Sequence, residues 1–594
     1  MKLTFIHAPE DFYDQNYGTK FIPLWAYYLA SYAPEGWETE IIDCRLRDIE
    51  RCGPADVFAF GGINQDLQSM TRAMERLKAR YPEAIFLLGG PITWSFEKEG
   101  KLDMLRHFDY VFIMDGEETL PMFLERCEQG RLEELDQIIK APRRFPMEQA
   151  RPVRFDLMDH EADEYYGTVI EVSRGCPFLC EFCDIRVMPD NNRTHVKDVG
   201  LIVQELDGYY KRGVTKFQFA CDNFIGDAQW AERCLDAIIE WKERVGANIS
   251  LFTWLTINVH KMPPVLRKFR LAGFNILFIG IESVNQNSLM ETAKVQNIKT
   301  LEEAVMTIQS YGFTIAPGFI FGFDSDDENI FRDTLDFIAR TGLIGGDPSF
   351  LTALAGTPLF DRMKRSGRLI ERESGAIARR KITTNIRYLQ PVDFLAEGFM
   401  GFVHEFCSAD FQRKRMMKHF DVAAGGGCFV PNKDSGYASP GHYLLRQFKD
   451  LGYLRMAWER VWFLIRPDRF KAVLQMWLRA RKLQRSMPGI MTNFYYCVYS
   501  WTNIALKYKG LKRDDFALHT VGDDFDVSHL LEGAMLTEKE LQRIREEGVK
   551  ADVQNRYTQK ALTELIRKHP GRKIKFTTSK ANPASQQTTP FKTR

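Results

Sequence analysis

The chain has 594 residues, of which 45% are hydrophobic and 27% charged, enough for two to four domains with their own cores. This composition excludes a collagen-like, mucin-like or wholly disordered chain. Because 80 Lys and Arg balance 79 Asp and Glu, no overall field favours nucleic acid, and no nucleic-acid partner is predicted. The eleven cysteines are few and odd in number, and the N-terminus shows no signal-peptide pattern, so we expect a reducing cytoplasm.

Residues 1–140 alternate short apolar runs with amphipathic segments. The predicted strands are 3–6, 40–42, 57–60, 85–88 and 110–113, and the predicted helices are 23–32, 67–81 and 119–127. This alternation predicts a Rossmann-like, doubly wound parallel sheet. Two glycine pairs, Gly61-Gly62 and Gly89-Gly90, follow strands directly and would let a ligand approach the backbone, although ordinary turns explain them equally well. No GxGxxG is present, so a nicotinamide cofactor is not indicated.

Residues 141–165 are predicted to be a linker, and a second strand–helix alternation fills residues 166–380. Its predicted strands are 168–172, 216–220, 250–255, 276–281, 315–321 and 349–353, with helices at 199–210, 228–244 and 301–311. Six βα units are too few for a closed eight-stranded barrel, so we expect a partial (β/α)6 barrel. Its chemistry should lie on the loops at the carboxyl ends of the strands.

Residues 381–571 are predicted to form a mainly helical C-terminal domain, and residues 572–594 a disordered tail. The apolar run 490–506 carries many polar groups and is interpreted as a buried helix, not a membrane span. Between 455 and 486, nine Lys or Arg are interleaved with Trp and Phe, against two acids. That segment could make peripheral membrane contact, bind phosphate-rich ligands, or simply form a helix pair with a solvated basic face.

The most informative segment is a CxxxCxxC motif, Cys176, Cys180 and Cys183, on the loop after the first strand of the predicted barrel. Three thiolates so close together can bind three irons of a 4Fe–4S cluster and leave the fourth iron open. Zinc is the main rival, since it also takes cysteine ligands, but a second, distant cysteine pair of the usual kind is missing. An inert triplet in the core is the third alternative.

The CxxxCxxC motif with an aromatic residue, Phe182, before its last cysteine resembles the radical S-adenosylmethionine (SAM) superfamily. This resemblance implies that the three cysteines bind a 4Fe–4S cluster whose open iron chelates SAM. One electron, from a donor such as flavodoxin or ferredoxin, would then cleave SAM to methionine and a 5′-deoxyadenosyl radical.

Several strings resemble more narrowly the branch of this superfamily with a preceding cobalamin-binding domain, and within it the hopanoid methylase group. They are RFDLM at 154–158, SRGCPFLCEFCDI at 173–185, DNFIG at 222–226, GIES at 280–283 and GFIFGFD at 318–324. The resemblance implies cobalamin on residues 1–140. The DxHxxG motif of that branch is missing, since residues 11–20 contain no histidine, so cobalamin is expected to bind without a histidine ligand. Trp254 stands where relatives often carry a carboxylate.

The resemblance also implies cofactor contacts at the ends of later strands. Glu282, Asp222 and Asn223 would lie near the ribose or amino group of SAM, and Gly318 and Gly322 near its adenine. A surface acid or a strand bulge is the plainer explanation for each. No residue is assigned as catalytic.

The function predicted from these observations is generation of a 5′-deoxyadenosyl radical for cobalamin-dependent methylation of an unactivated carbon in a lipid or secondary metabolite. The alternative keeps the radical without methylation, for cyclisation, bond formation or aminocarboxypropyl transfer on the same scaffold. A third hypothesis is a zinc- or cluster-bearing module with a redox-sensing role. The sequence does not identify the small-molecule or lipid substrate.

Overall fold

The computed structural model describes residues 1–10, 20–159, 161–294, 298–370, 382–432, 451–534 and 551–568. They form two six-stranded parallel sheets in succession, each with helices packed on it, followed by a mainly helical region. The predicted fold class is confirmed. The predicted disordered tail at 572–594 lies outside the described residues.

The first sheet has the strand order β2-β1-β3-β4-β5-β6, and every neighbouring pair is parallel. Successive residues of its strands enter two different cores. Phe5 and Val57 belong to one core, and Ile6 and Phe58 belong to the other. Burial on both faces explains why these strands are apolar throughout. The elements are β1 (Lys2–His7), β2 (Glu38–Asp43), β3 (Val57–Gly61), β4 (Ile85–Gly89), β5 (Tyr110–Ile113) and β6 (Ile138–Lys140), with helices α1 (Leu24–Leu29), α2 (Leu67–Arg80), α3 (Pro91–Glu99) and α4 (Gly116–Glu128).

The second sheet has the order β14-β13-β12-β11-β10-β7, again parallel, and its two edge strands differ, so it is open as predicted. Its strands are β7 (Thr168–Glu171), β10 (Lys216–Ala220), β11 (Ser250–Leu255), β12 (Phe274–Glu282), β13 (Thr314–Phe321) and β14 (Asp347–Phe350). A short hairpin, β8 (Ser173–Arg174) and β9 (His195–Val196), follows β7. The helices are α5 (Val199–Lys211), α6 (Ala228–Val245), α7 (Pro263–Ala272), α8 (Gln286–Glu291), α9 (Leu301–Ser310), α10 (Ile330–Thr341) and α11 (Pro358–Arg365).

The central strands of this sheet are buried on one face only. Along β12, Leu277, Ile279 and Ile281 are buried, whereas Phe278 and Gly280 between them are half-buried. Strands β11 and β13 show the same period of two. Because side chains alternate across a strand, the half-buried residues share one face, which remains open to a ligand.

The C-terminal region is helical as predicted, with an additional parallel strand pair, β15 (Ile382–Tyr388) and β16 (Phe516–Thr520). Its helices are α12 (Val392–Phe406), α13 (Ala409–Gly425), α14 (Leu451–Leu464), α15 (Pro467–Leu483), α16 (Ile490–Lys507), α17 (His529–Ala534) and α18 (Ala551–Lys568). Within the described residues, no helix is both long and apolar enough to cross a membrane.

Helix α16 lies at the amino end of the second sheet. The Asn493 side chain donates a hydrogen bond to the carbonyl of Gly312 just before β13, at 3.1 Å. Lys507 pairs with Asp347, the first residue of β14. The carboxyl end of the sheet, where chemistry is expected, is therefore at the opposite end from this helix.

Candidate active site

The three cysteines lie on the loop that follows β7 and β8, at the carboxyl end of the second sheet. The backbone N–H of Cys176 donates to the carbonyl of Asn191 at 2.9 Å, and that of Cys183 donates to Cys180 at 3.2 Å. Gly175 has φ of 89°, and a Cβ there would lie 2.0 Å from the Arg193 carbonyl oxygen, so only glycine fits. The loop conformation is thus set by backbone contacts on both sides of Cys176.

The cysteine thiols are partly buried and close enough to influence one another. Burial raises the pKa of the Cys176 thiol to about 11 and raises that of Cys183 further, and the neighbouring thiols add to both shifts. A thiolate in this place therefore requires positive charge, which iron would supply. Among the described residues, no three His, Cys, Asp or Glu side chains are arranged around a single metal ion. A cubane cluster binds each thiolate at a different iron, and three soft sulfur donors fit that requirement.

Glu282 ends β12 at an irregularity in its pairing with β13, and its φ is 65°, a conformation that is rare for a residue with a side chain. The Lys294 ammonium lies 2.7 Å from the Glu282 carboxylate. Burial alone would lower the pKa of Lys294, but Glu282 and the thiols of Cys180 and Cys183 outweigh burial and raise it. A carboxylate and an ammonium therefore stand beside the cysteine loop, as a zwitterionic ligand would require.

Gly318 on β13 lies beside this pair. A Cβ on Gly318 would be 3.4 Å from Glu282 Oε2, and one on the neighbouring Gly280 would be 2.2 Å from Glu282 Oε1. The structure thus brings Gly318 and Glu282 together, whereas their contacts with SAM remain predictions. Gly322 is different, because a Cβ there would meet the ring of Tyr388 at 2.7 Å. Packing of β15 accounts for the lack of a side chain at Gly322.

Asp222 and Asn223 follow β10 and contact the loops around the site. Asp222 accepts a hydrogen bond from the Gly175 backbone at 2.6 Å, and burial raises the pKa of its carboxyl to about 6. Asn223 is buried, and its Oδ1 accepts from Thr256 at 3.3 Å. Its Nδ2 has no hydrogen-bond partner within the described part of the chain. Phe182 is partly buried and packs edge-on against Phe323, so its ring supports the cysteine loop.

The cysteine loop is held by a buried ionic network that the sequence analysis did not predict. Glu181, between Cys180 and Phe182, accepts two hydrogen bonds from Arg362 of α11, at 2.9 and 3.1 Å. Arg362 also donates to Asp324 at 3.0 Å, and Arg368 binds the same carboxylate at 2.6 and 2.8 Å. All four side chains are almost wholly buried. Burial acts to raise the pKa of Asp324, but the two guanidinium groups outweigh it and hold that pKa below its usual range. We call these four residues the loop clamp.

A second missed network joins the cysteine loop to the first sheet. Arg174, two residues before Cys176, pairs with Glu171 at 2.8 Å and with Glu117 of α4 at 2.6 Å. Asp115, just before α4, lies 3.3 Å from Arg174 and 2.8 Å from Arg144. The start of α4 and the start of the cysteine loop are therefore held together by buried charges.

The four predicted glycines do lie at the carboxyl edge of the first sheet, but their surroundings differ. A Cβ on Gly61 would lie 3.0 Å from the ring of Trp25, and one on Gly62 would lie 2.9 Å from Asp66. Gly90 has φ of 90°, and a Cβ there would lie 2.9 Å from the Gly62 backbone. At Gly89 the nearest atoms to such a Cβ would be 4.0 Å away, an ordinary van der Waals distance, so only Gly89 of the four would accommodate a Cβ without a close approach.

The nearby His7, at the end of β1, is engaged by the protein itself. The Trp25 indole N–H donates to His7 Nδ1 at 3.3 Å. Burial lowers the pKa of His7 to about 4, so the imidazole is neutral at physiological pH.

A three-cysteine loop at the carboxyl end of an open parallel βα sheet defines the class of this domain. Residues 170–338 match the Radical SAM superfamily. This match implies a 4Fe–4S cluster and SAM as cofactors, so these sequence predictions are confirmed at the level of the family. The donor set described above fits both groups.

Several relatives extend the similarity beyond this domain. An uncharacterized methyltransferase of Synechocystis is 29% identical over 359 residues, which cover 60% of this chain and 65% of that protein. The hopanoid C-2 methylase of Rhodopseudomonas palustris is 27% identical over 402 residues, covering 66% of this chain and 72% of that protein. The bacteriochlorophyllide d C-12(1)-methyltransferase of Chlorobaculum tepidum is 26% identical over 356 residues, covering 58% of this chain and 75% of that protein. The chain thus matches 65% of the first of these relatives, slightly less than two thirds.

A solved structure is similar over nearly the whole chain. The cobalamin-dependent SAM radical enzyme OxsB, with aqua-cobalamin and SAM bound, superposes with a TM-score of 0.56, covering 95% of this chain and 83% of that one. The sequence identity is 14%, so this likeness supports the fold alone.

Proposed function

We propose that this chain is a cobalamin-dependent radical SAM methylase that methylates an unactivated carbon of a lipid or secondary metabolite. The observation that carries the proposal is the cysteine loop, held at the carboxyl end of the second sheet with the Glu282–Lys294 pair beside it. The hopanoid C-2 methylase among the relatives supports the methyl transfer and the lipid class. We also propose the predicted division into 1–140, 141–165, 166–380, 381–571 and 572–594.

Each group of the site has a separate task in this proposal. Cys176, Cys180 and Cys183 would hold a 4Fe–4S cluster, which when bound supplies the electron that cleaves SAM. The Glu282 carboxylate can accept hydrogen bonds from an ammonium or ribose hydroxyls, and Lys294 fixes its orientation. Asp222 fixes the start of the cysteine loop through the Gly175 backbone. The loop clamp keeps Glu181, and with it the cysteines, in one position.

The face of the second sheet that is open to a ligand is largely aromatic at its centre. Trp254 on β11 lies 4.9 Å from Phe252 and 6.5 Å from Phe278, measured between ring centroids. Such a surface suits an apolar substrate and excludes water from a reactive carbon radical. An electron donor such as flavodoxin or ferredoxin and a location in the reducing cytoplasm complete the proposal.

Cobalamin would lie at the carboxyl edge of the first sheet, where the lack of a side chain at Gly89 would let a ligand approach the backbone. That edge is connected to the cysteine loop through Asp115, Glu117 and Arg174. The connection supports a shared site in which one cofactor faces the other.

Anaerobic reconstitution with methyl-labelled SAM tests this function. Wild-type protein should bind about four irons per chain, form 5′-deoxyadenosine, retain cobalamin and transfer label to a lipid or metabolite extract. Cys176→Ser should lose iron and SAM cleavage. Cys221→Ser is the matched control, because this thiol is also partly buried near the carboxyl end but bonds to Thr253, and it should keep both. Iron binding and SAM cleavage that survive Cys176→Ser would refute the proposal.

A second function is favoured by the aromatic side chain of Trp254, which takes the place of a carboxylate frequent in relatives. Without a proton acceptor there, the same radical could close a ring or form another bond without methyl transfer. Formation of 5′-deoxyadenosine in stoichiometric amounts with an unmethylated product would support this alternative over methylation.

A further inference from the structure

Helices α14 and α15 of the C-terminal region expose an unusual amount of apolar surface. Fourteen large hydrophobic residues are exposed in the described part of the chain, and nine of them lie between residues 458 and 499. Trp458, Trp462 and Phe470 expose 67%, 62% and 57% of their surface. Scattered single exposures are normal, but a contiguous group indicates an interaction surface.

These exposed residues form one stripe on each helix. On α14, Trp458, Val461 and Trp462 recur at the three- and four-residue spacing of one helix face, and Ile465, directly after the helix, continues this spacing. On α15, Phe470, Leu474 and Leu478 recur at every fourth residue. We call the seven residues on these two helices the exposed stripe.

The exposed stripe is additional to the faces that hold the helices in place. Ala472, Met476 and Ala480 of α15 are buried in a core with α13 and α16, and Phe463 of α14 packs edge-on against the buried Trp501. Both helices therefore already have an apolar face toward the protein. Their folding does not account for a second apolar face toward solvent.

Positive charge surrounds the exposed stripe. Residues 455–486 contain nine Lys or Arg and two acids. Arg455, Lys471, Arg481, Lys482 and Arg485 are exposed. Arg481 lies over the ring of Trp477 at 5.1 Å and Arg469 over Phe463 at 3.7 Å, so long basic side chains lie along aromatic surface.

We propose that the exposed stripe is a docking surface for anionic lipid membranes. Helices with Trp, Phe and Leu on the exposed face and Lys and Arg around it insert into the interface of a bilayer and are attracted to anionic headgroups. A second copy of the chain fits the surface poorly, because a two-fold interface would bring two basic surfaces together. The charge thus favours lipid over self-association.

The docking surface is separate from the proposed catalytic site. Helix α15 packs on α13 and α16, and α16 is attached at the amino end of the second sheet, whereas the cysteines lie at the carboxyl end. Membrane binding therefore does not depend on the proposed function, although a lipid substrate would give it a purpose. Loss of docking should leave SAM cleavage unchanged.

Co-sedimentation of the reconstituted full-length protein with vesicles tests this inference. We expect binding to phosphatidylglycerol-containing vesicles, much weaker binding to phosphatidylcholine alone, and loss of affinity at high salt. The double variant Trp458→Ser/Trp462→Ser should bind at least tenfold more weakly, and Lys471→Glu/Arg485→Glu should lose the preference for anionic vesicles. Leu271→Ser, an exposed apolar residue on α7, is the control and should bind as wild type.

Iron content and SAM cleavage, measured on each variant, show that it is folded. Failure of the wild type to bind anionic vesicles, or unchanged binding by the double Trp variant, would overturn the inference. A wild-type dimer that the double Trp variant dissociates, without vesicle binding, would overturn it in favour of a second copy. Absence of methyl transfer would affect only the proposed function, because vesicle binding is measured without substrate.

Discussion

The two parallel sheets both have six strands, but their strand orders differ and their carboxyl ends are built differently. At the second sheet, three thiols, the Glu282–Lys294 pair and the loop clamp are gathered in a partly or wholly buried space. At the first sheet, glycines pack against Trp25, Asp66 and each other. Buried charge carries a large desolvation cost and persists only when it is paired. The comparison teaches that apolar strands specify both folds, whereas the three thiols, with the paired charges around them, distinguish the carboxyl end of the second sheet.

The largest effect should follow from breaking the loop clamp. In Arg362→Met, the buried carboxylates of Glu181 and Asp324 lose a shared partner, which should destabilise the second sheet by about 3–5 kcal/mol. Because Glu181 lies between two of the cysteines, iron retention should fall as well. Urea unfolding and iron content after anaerobic desalting measure both effects.

Arg340→Met is the matched control for that variant. Arg340 on α10 pairs with Glu302 at 2.6 Å, but 57% of its side chain is exposed, and a surface pair of this kind contributes less than about 1 kcal/mol. If both variants unfold at the same urea concentration and retain iron equally, the clamp does not hold the cysteine loop.

The amino end of the second sheet offers a contrast to its charged carboxyl end, because the buried His419 there is held neutral. Its ring bonds to Gln309 at 3.0 Å and to Asn493 at 2.8 Å, and burial lowers its pKa to about 4. Between pH 6.5 and 4 the unfolded chain binds a proton at His419 that the folded chain does not. The free energy of unfolding should therefore decrease by about 3 kcal/mol as the pH is lowered through this range.

Urea unfolding at several pH values measures this dependence. His419→Gln should remove the contribution of His419 to the pH dependence of stability. His404→Gln, at an exposed position on α12, should retain the wild-type dependence. The same slope in His419→Gln as in the wild type would show that the ring is not the group that titrates.

Within the carboxyl end, Glu282→Gln should weaken SAM binding without loss of the cluster. Exchange of the carboxylate for an amide removes a charge-assisted acceptor worth about 1.5–3 kcal/mol, or roughly ten- to hundredfold in affinity. Anaerobic equilibrium dialysis with labelled SAM measures it, and iron content should stay at the wild-type level. Glu302→Gln, on the outer surface of α9, is the control. Unchanged SAM affinity in Glu282→Gln would remove this residue from the site.

Much of the fold could be predicted from the sequence because apolar periodicity is local. Strands β10 and β11 lie at the predicted residues, and β5 does as well. The edge strand β6 was missed, because its three residues are partly exposed and show no periodicity. The pair β15 and β16 was also missed, because its strands join segments more than a hundred residues apart.

The candidate site likewise contains residues that local sequence signals predict and residues that they do not. The cysteines could be predicted because their spacing is a local signal, and Glu282 because a motif surrounds it. The loop clamp could not, since Glu181 and Arg362 are separated by 181 positions and nothing in the sequence pairs them. Nor could the sequence distinguish Gly89, where a Cβ would make no close contact, from Gly90, where a φ of 90° and the nearby Gly62 backbone require glycine.

The smallest effect on stability, and the sharpest test of the first sheet, comes from this glycine pair. Gly90→Ala should destabilise the fold by about 1–3 kcal/mol, because its φ of 90° is strained for alanine and its Cβ would meet the Gly62 backbone. Gly89→Ala should change stability by less than about 0.5 kcal/mol, since its Cβ would make only ordinary van der Waals contacts, at 4.0 Å. If cobalamin approaches Gly89, this stable variant should nevertheless lose cobalamin absorbance while keeping iron. Full retention of cobalamin in Gly89→Ala would mean that cobalamin does not approach the Gly89 backbone.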